Sequence, residues 1–143
     1  MNACQLVTKF GPLAGRVMLA LIFLIAGFGK IGNFAGTAGY MASKGIPFAE
    51  IALVLTIIIE IGGGAMLVAG WKARWAALGL FLFLIPATLI FHDFWAVEAA
   101  QFQNQMNHFL KNVCILGGML YVMAYGPGPL SLDRGDCAEK SDS

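Results

Sequence analysis

The sequence predicts an all-α, polytopic membrane protein: a four-transmembrane-helix bundle with both termini in the cytoplasm. Three observations carry that reading. Of the 143 residues 59% are hydrophobic and only 12% charged, where soluble domains are about a quarter charged. Apolar runs of membrane-spanning length recur four times along the chain, and most Lys and Arg residues fall on one side of them. A soluble chain this small could not hide so much apolar surface, and the mean hydropathy is +0.76. A formal net charge of +1 leaves no field to attract a polyanion. A nucleic-acid binder, a disordered chain and an ordinary cytosolic enzyme are excluded.

A bilayer core of about 30 Å takes roughly 20 helical residues. Spans are expected at about 13–32, 49–70, 75–95 and 106–126, within a single domain of residues 1–130. The first contains VMLALIFLIAGFG; no small-x-small cleavage site follows it, so it reads as a retained anchor rather than a signal peptide. The third holds Pro86, which frees a carbonyl and introduces a kink. The fourth is stopped by Pro127 and Pro129. The connection 33–48 is rich in glycine and reads as a loop with a short helical piece. VEAAQFQNQMNHF reads as a helical segment lying on the membrane surface. The polar stretch 131–143 reads as a disordered cytoplasmic tail.

Orientation follows from the basic residues of the short loops. Lys9, Arg16, Lys72, Arg74, Arg134 and Lys140 share one side, and Lys30, Lys44 and Lys111 the other. The richer side is cytoplasmic, so the two longer connections lie outside. Cys4, Cys114 and Cys137 are widely spaced without a CxxC pair, which argues against a disulfide framework, a structural zinc site and thiol-redox chemistry.

Ionisable residues at hydrocarbon depth are the informative ones, because they are costly and face the bundle interior. Glu60 is the sharpest. It lies about 15 Å from either end of its span, too deep to reach water, so it must be protonated or paired with a cation. Thr56, Gly63, Gly64 and Leu67 share its helical face. A glutamate that only holds two helices together and one that handles a proton or a ligand leave the same trace in sequence. Arg16 reads as snorkelling to its interface. Lys30, on the outer side, can lean inward toward Glu60. His92 ends the third span, one turn after Thr88, and Lys111 and Asn112 lie at the same level on the fourth. Lys30, Glu60, His92, Lys111 and Asn112 thus arrive from four helices at the outer half of the bilayer. Glu60 and His92 are the candidate catalytic pair, and all five the candidate ligand-binding set.

No metal site is expected. His92 and His108 sit at a span end and in a loop, unlike axial haem ligands facing each other within spans. Gly27-x-Gly29-x-x-Gly32 matches the dinucleotide fingerprint, but no strand precedes it. Gly11-x-x-x-Gly15 and Gly32-x-x-x-Gly36 fall at span edges, which weakens dimerisation through them.

From about Gly11 to Asp133 the chain resembles the DoxX family of small four-helix bacterial membrane proteins. The likeness rests on Arg16, on Gly27-x-x-Lys30, on Gly45-x-Pro47, and on Glu60 followed by Gly63-Gly64, Leu67 and Gly70. It continues through Phe91-His92, Phe109-Leu110-Lys111-Asn112, Gly117-Gly118 and Gly126-Pro127-Gly128-x-x-Ser131-Leu132-Asp133. The resemblance implies a bacterial inner-membrane location and a link to quinol oxidase or thiosulfate:quinone oxidoreductase subunits. It brings no agreed catalytic residues. Two functional classes follow. One is an accessory subunit of a respiratory or quinone-linked complex, with no redox cofactor of its own and a quinone as ligand. The other is a non-enzymatic binder or carrier of a lipid or small hydrophobic molecule, or a purely structural subunit.

Overall fold

The computed structural model describes residues 2–133 and is all-helical there. The order is α1 (Ala3–Gly32), α2 (Phe34–Ser43), α3 (Ala49–Ala69), α4 (Ala73–Phe91), a single 3-10 turn (Phe94–Ala96) and α5 (Ala99–Tyr125). Helices are what hydrocarbon permits, since each satisfies its own backbone polar groups. α1, α3 and α4 are long and apolar enough to cross a membrane. α5 has the length, at 27 residues, but its first half carries Gln101, Gln103, Asn104, Gln105 and Asn107.

Several boundaries differ from the sequence reading. α1 begins about a third of its length before Leu13, because Asn2 and Gln5 form a reciprocal capping box at 2.9 and 3.0 Å. Pro12 interrupts its hydrogen bonding without ending the helix. The stretch expected to lie on the surface before Met106 is instead the start of α5. Phe94 anchors it there through edge-on packing with Phe102 and Phe109, at 5.7 and 5.2 Å.

The helices pack in the circular order α1, α3, α4, α5. Small residues let them approach, as is usual between helices in lipid. A Cβ on Gly27 would lie 2.6 Å from Ile61 Cγ1, one on Gly64 2.9 Å from Leu24, and one on Gly63 2.8 Å from Leu80. Inside this frame Ala20, Phe23, Leu67, Leu80 and Met119 form one buried cluster. Met18, Ile25, Ile58 and Leu82 point outward, the pattern of a protein whose solvent is lipid. α2 lies across one end on a second cluster of Ala38, Met41 and Leu53.

The opposite end, at the α3–α4 turn, is tied shut. Arg16 does not snorkel: it is 2% exposed, and its guanidinium donates to the carbonyls of Leu67, at 3.2 Å, and Leu130. Its Nε is buried without a partner among the described residues. Nor do residues 131–133 belong to a loose tail. Leu132 N donates to Ala69 O at 3.1 Å and Asp133 N to Gly70 O at 2.9 Å. The Asp133 carboxylate accepts from Lys72 N and Ala73 N at 2.8 and 2.9 Å. It therefore caps the N-terminus of α4, where a negative charge is favoured. The rest of the expected tail, with Arg134, Cys137 and Lys140, lies outside the described residues.

Gly70 is the pivot of this end. With φ at +65° it closes α3, its N–H meeting Leu67 O while Trp71 N reaches Met66 O. A Cβ there would overlap the Arg16 guanidinium and Ser131. Gly70→Ala is expected to destabilise by more than about 2 kcal/mol, through backbone strain and overpacking together. Gly79 is exposed on α4 with nothing near its Cβ direction. Gly79→Ala is expected to be neutral or to add about 0.5–1 kcal/mol. Thermal unfolding in one detergent compares the two, and similar shifts for both would contradict the role given to Gly70.

Candidate functional site

Glu60 is presented by the middle of α3, on the face that also carries Gly64 and Leu67. Lys30 sits in the last turn of α1. Gly27, one turn earlier, brings the α1 backbone against Ile61 and the Glu60 Cβ, which sets the distance between the two chains. Lys30 Nζ donates to both carboxylate oxygens of Glu60, at 2.9 and 2.8 Å. The Glu60 side chain is 7% exposed and that of Lys30 25%. The deep carboxylate is thus neutralised by a cation reaching down from the α2 end.

This ion pair forms part of the wall of a cavity of about 270 Å³. At roughly 30 Å³ per water that is about nine water volumes, just below the usual range of small-molecule sites. The rest of the wall is mostly apolar, with Phe23, Phe83, Leu84 and Phe91 prominent. All five residues singled out in the sequence line it, Lys30, Glu60, His92, Lys111 and Asn112.

They do not form one network. Asn112 is buried and donates through Nδ2 to Thr88 Oγ1 at 3.0 Å, joining α5 to α4. Thr88 in turn donates to Leu84 O at 2.6 Å. His92 closes α4 and pairs through Nδ1 with Gln105 Oε1 at 3.0 Å. Its ring stacks on His108, with centroids 5.1 Å apart and planes at 20°. Lys111 is exposed, and its Nζ lies 3.3 Å from His108 Nδ1. Among the described residues no hydrogen bond links His92 to Glu60.

The contribution of α2 to the cavity escaped the sequence reading. Thr37, Tyr40 and Met41 reach the cavity from α2, and Tyr40 packs on Phe91 with centroids 5.6 Å apart. Their spacing marks one helical face, a signal masked by the surrounding glycines. Lys44 and Asp93, 3.2 Å apart, tie the end of α2 to the end of α4. Among the described residues no three His, Cys, Asp or Glu side chains gather as metal ligands. Cys4 and Cys114 are free and exposed.

The DoxX family profile matches residues 11–93, which includes Lys30, Glu60 and His92 and stops before α5. The inner membrane protein YqjF of Escherichia coli is 36% identical over 124 residues, covering 87% of this chain and 90% of that protein. This chain belongs to the DoxX family. The E. coli inner membrane protein YphA is 34% identical over 122 residues, covering 85% of this DoxX chain and 87% of its own length. The Surfeit locus protein 4 homolog of Schizosaccharomyces pombe is 32% identical over 124 residues, 85% of this chain but only 36% of that longer protein. No solved structure matches. Together with the apolar helices, these relatives identify a multi-pass protein of the bacterial inner membrane.

Removing one partner of a buried ion pair strands a charge in a poor solvent, at about 3–5 kcal/mol, while an apolar replacement of both is often close to neutral. Lys30→Met and Glu60→Leu alone are each expected to lower the melting temperature sharply. The double variant should recover most of the loss, and additive losses in the double-mutant cycle would show that the two groups do not interact.

Proposed function

We propose that this DoxX protein is the accessory membrane subunit of a respiratory or quinone-linked oxidoreductase, and that its cavity receives the headgroup of a quinone. The observation that carries the reading is the Lys30–Glu60 pair set into an otherwise apolar, helix-lined cavity. Bundles commonly build ligand sites in this way. The donor set suits a quinone: the Lys30 ammonium can hydrogen-bond a ring carbonyl oxygen while keeping its contact with Glu60, and the aromatic walls accept a flat ring. The quinone supplies two-electron chemistry coupled to two protons. Glu60 is the group that holds or yields a proton inside the cavity, and His92, linked to Gln105 and His108, is the group that exchanges it with the α2 end. Redox centres that deliver electrons belong to the partner subunits of the complex.

The same reading includes the topology. α5 serves as the fourth span, about 40 Å long at 1.5 Å per residue, lying along α4. Lys9, Arg16, Lys72 and Arg74 mark the cytoplasmic end, and the α2 end faces outward. A periplasmic tag accessible at residue 45 and a cytoplasmic one at residue 72 are the expected labelling results; the reverse contradicts the orientation.

Calorimetry on the protein in lipid nanodiscs tests the site, with a short-tailed benzoquinone as the probe. Saturable binding is expected in the wild type, weakened at least tenfold in Lys30→Met. In native membranes Glu60→Gln is expected to insert normally but abolish the quinone turnover that depends on this subunit. Unaltered binding and turnover in these variants would refute the headgroup site. A partner-free, colourless preparation carrying a bound lipid would support instead a carrier of hydrophobic molecules.

A further inference from the structure

The cavity is not equally closed on all sides, and the way it opens bears on how a ligand enters. Around the bundle, α1 packs along α3, α3 on α4 and α4 on α5, whereas the seam between α5 and α1 is the sparsest of the four. In the half nearer the α3–α4 turn this seam is shut: a Cβ on Gly118 of α5 would lie 2.8 Å from Leu19 Cδ2 of α1. Beyond that point the two helices present paired rows to the cavity. Ile22, Ala26 and Lys30 follow one another at intervals of one turn on α1. Ile115 and Lys111 answer them on antiparallel α5. None of these five is buried, whereas Phe23, Glu60, Leu84 and Asn112, which line the same cavity from within, are.

The end-on route is partly covered, with Tyr40 of α2 still half exposed. Thr37, Tyr40 and Met41 of α2 roof the cavity, Met41 is buried, and the Lys44–Asp93 pair at 3.2 Å fastens the roof to α4. The lateral edge at the α1–α5 seam is apolar at Ile22, Ala26 and Ile115, with the two lysines at its outer limit. From Ile22 to Lys30 it runs about 12 Å along the helix.

We infer that the seam between α1 and α5 is a lateral portal, and that the ligand is an amphiphile that enters from the outer half of the bilayer. Its head rests against Lys30 and Glu60, and its apolar tail stays in the seam between Ile22, Ala26 and Ile115. The inference rests on the reading of the cavity as a headgroup site and adds the entry route and the need for a tail. A cavity of about 270 Å³ holds a head alone, so a tailed ligand must leave through an opening whose sides are apolar, and the seam is that opening.

The test compares a decyl-tailed benzoquinone with the same ring lacking the tail, bound to protein in nanodiscs. Ile22→Trp narrows the seam about 12 Å from Lys30; Leu82→Trp, on the lipid-facing side of α4, is the control. The portal predicts that Ile22→Trp weakens the tailed ligand at least tenfold more than the tail-less ring, with no effect of Leu82→Trp on either. An equal effect of Ile22→Trp on both ligands, whether none or large, overturns the portal. Failure of both ligands to bind the wild type would overturn the headgroup site itself, and the portal with it. A photoreactive group on the tail gives an independent reading in the unaltered protein. Labels on peptides of α1 and α5 around residues 19–26 and 115–118 are expected, and labels on α2 or the outer face of α4 contradict the route.

Discussion

A carboxylate in the middle of a membrane span has to be neutralised where it stands, and much of this molecule follows from how that is done. Glu60 cannot reach water from its depth in α3, so its partner must come to it. Lys30 does so from the end of α1, with both carboxylate oxygens within hydrogen-bond distance. Bringing an α1 side chain to an α3 side chain requires the backbones to close up, and Gly27 and Gly64 provide the room. The pair thus fixes the depth, register and spacing of two helices at once. It also places a charged, hydrogen-bonding group on an otherwise apolar wall. In a low-dielectric setting such a group is costly to keep, which is the physical reason to read it as functional.

The far end of the same helix solves a similar problem differently. Arg16 turns inward to backbone carbonyls of α3 and of the segment after α5. Asp133 at the same time caps α4. The result is a polarity of construction. One end is cross-linked by hydrogen bonds among α1, α3, α4 and the chain after α5. The other end holds a cavity under a short helix, fastened by one partly exposed ion pair.

The membrane-helical fold was legible because hydropathy and helix length report directly on burial in lipid. Glu60 was legible for the same reason, since no other ionisable residue sits so deep in an apolar run of the sequence, and Lys30 followed as the cation able to reach it. Arg16 was misread as snorkelling because its partners are main-chain carbonyls of Leu67 and Leu130, and carbonyls leave no mark in composition. The ordering of residues 131–133 was hidden in the same way: it depends on backbone pairing with the α3–α4 turn. The stretch before Met106 was read as a separate helix on the membrane surface because its Gln and Asn residues are too polar for a span, whereas it is continuous with α5. The aromatic contacts of Phe94 with Phe102 and Phe109 that hold it are tertiary. Lys111 lines the cavity and turns to His108 one turn earlier on α5.

The account stands on Glu60 being a carboxylate paired with the Lys30 ammonium inside the membrane. Infrared spectroscopy of protein in lipid bilayers, labelled with carbon-13 at the side-chain carboxyl of glutamate, reads that state directly. Comparison with Glu60→Gln isolates the band of this one residue. The account predicts an ionised carboxylate band for Glu60 in the wild type that gives way to a protonated carboxyl band in Lys30→Met. A protonated Glu60 in the wild type, or a band that does not respond to the loss of Lys30, would contradict it.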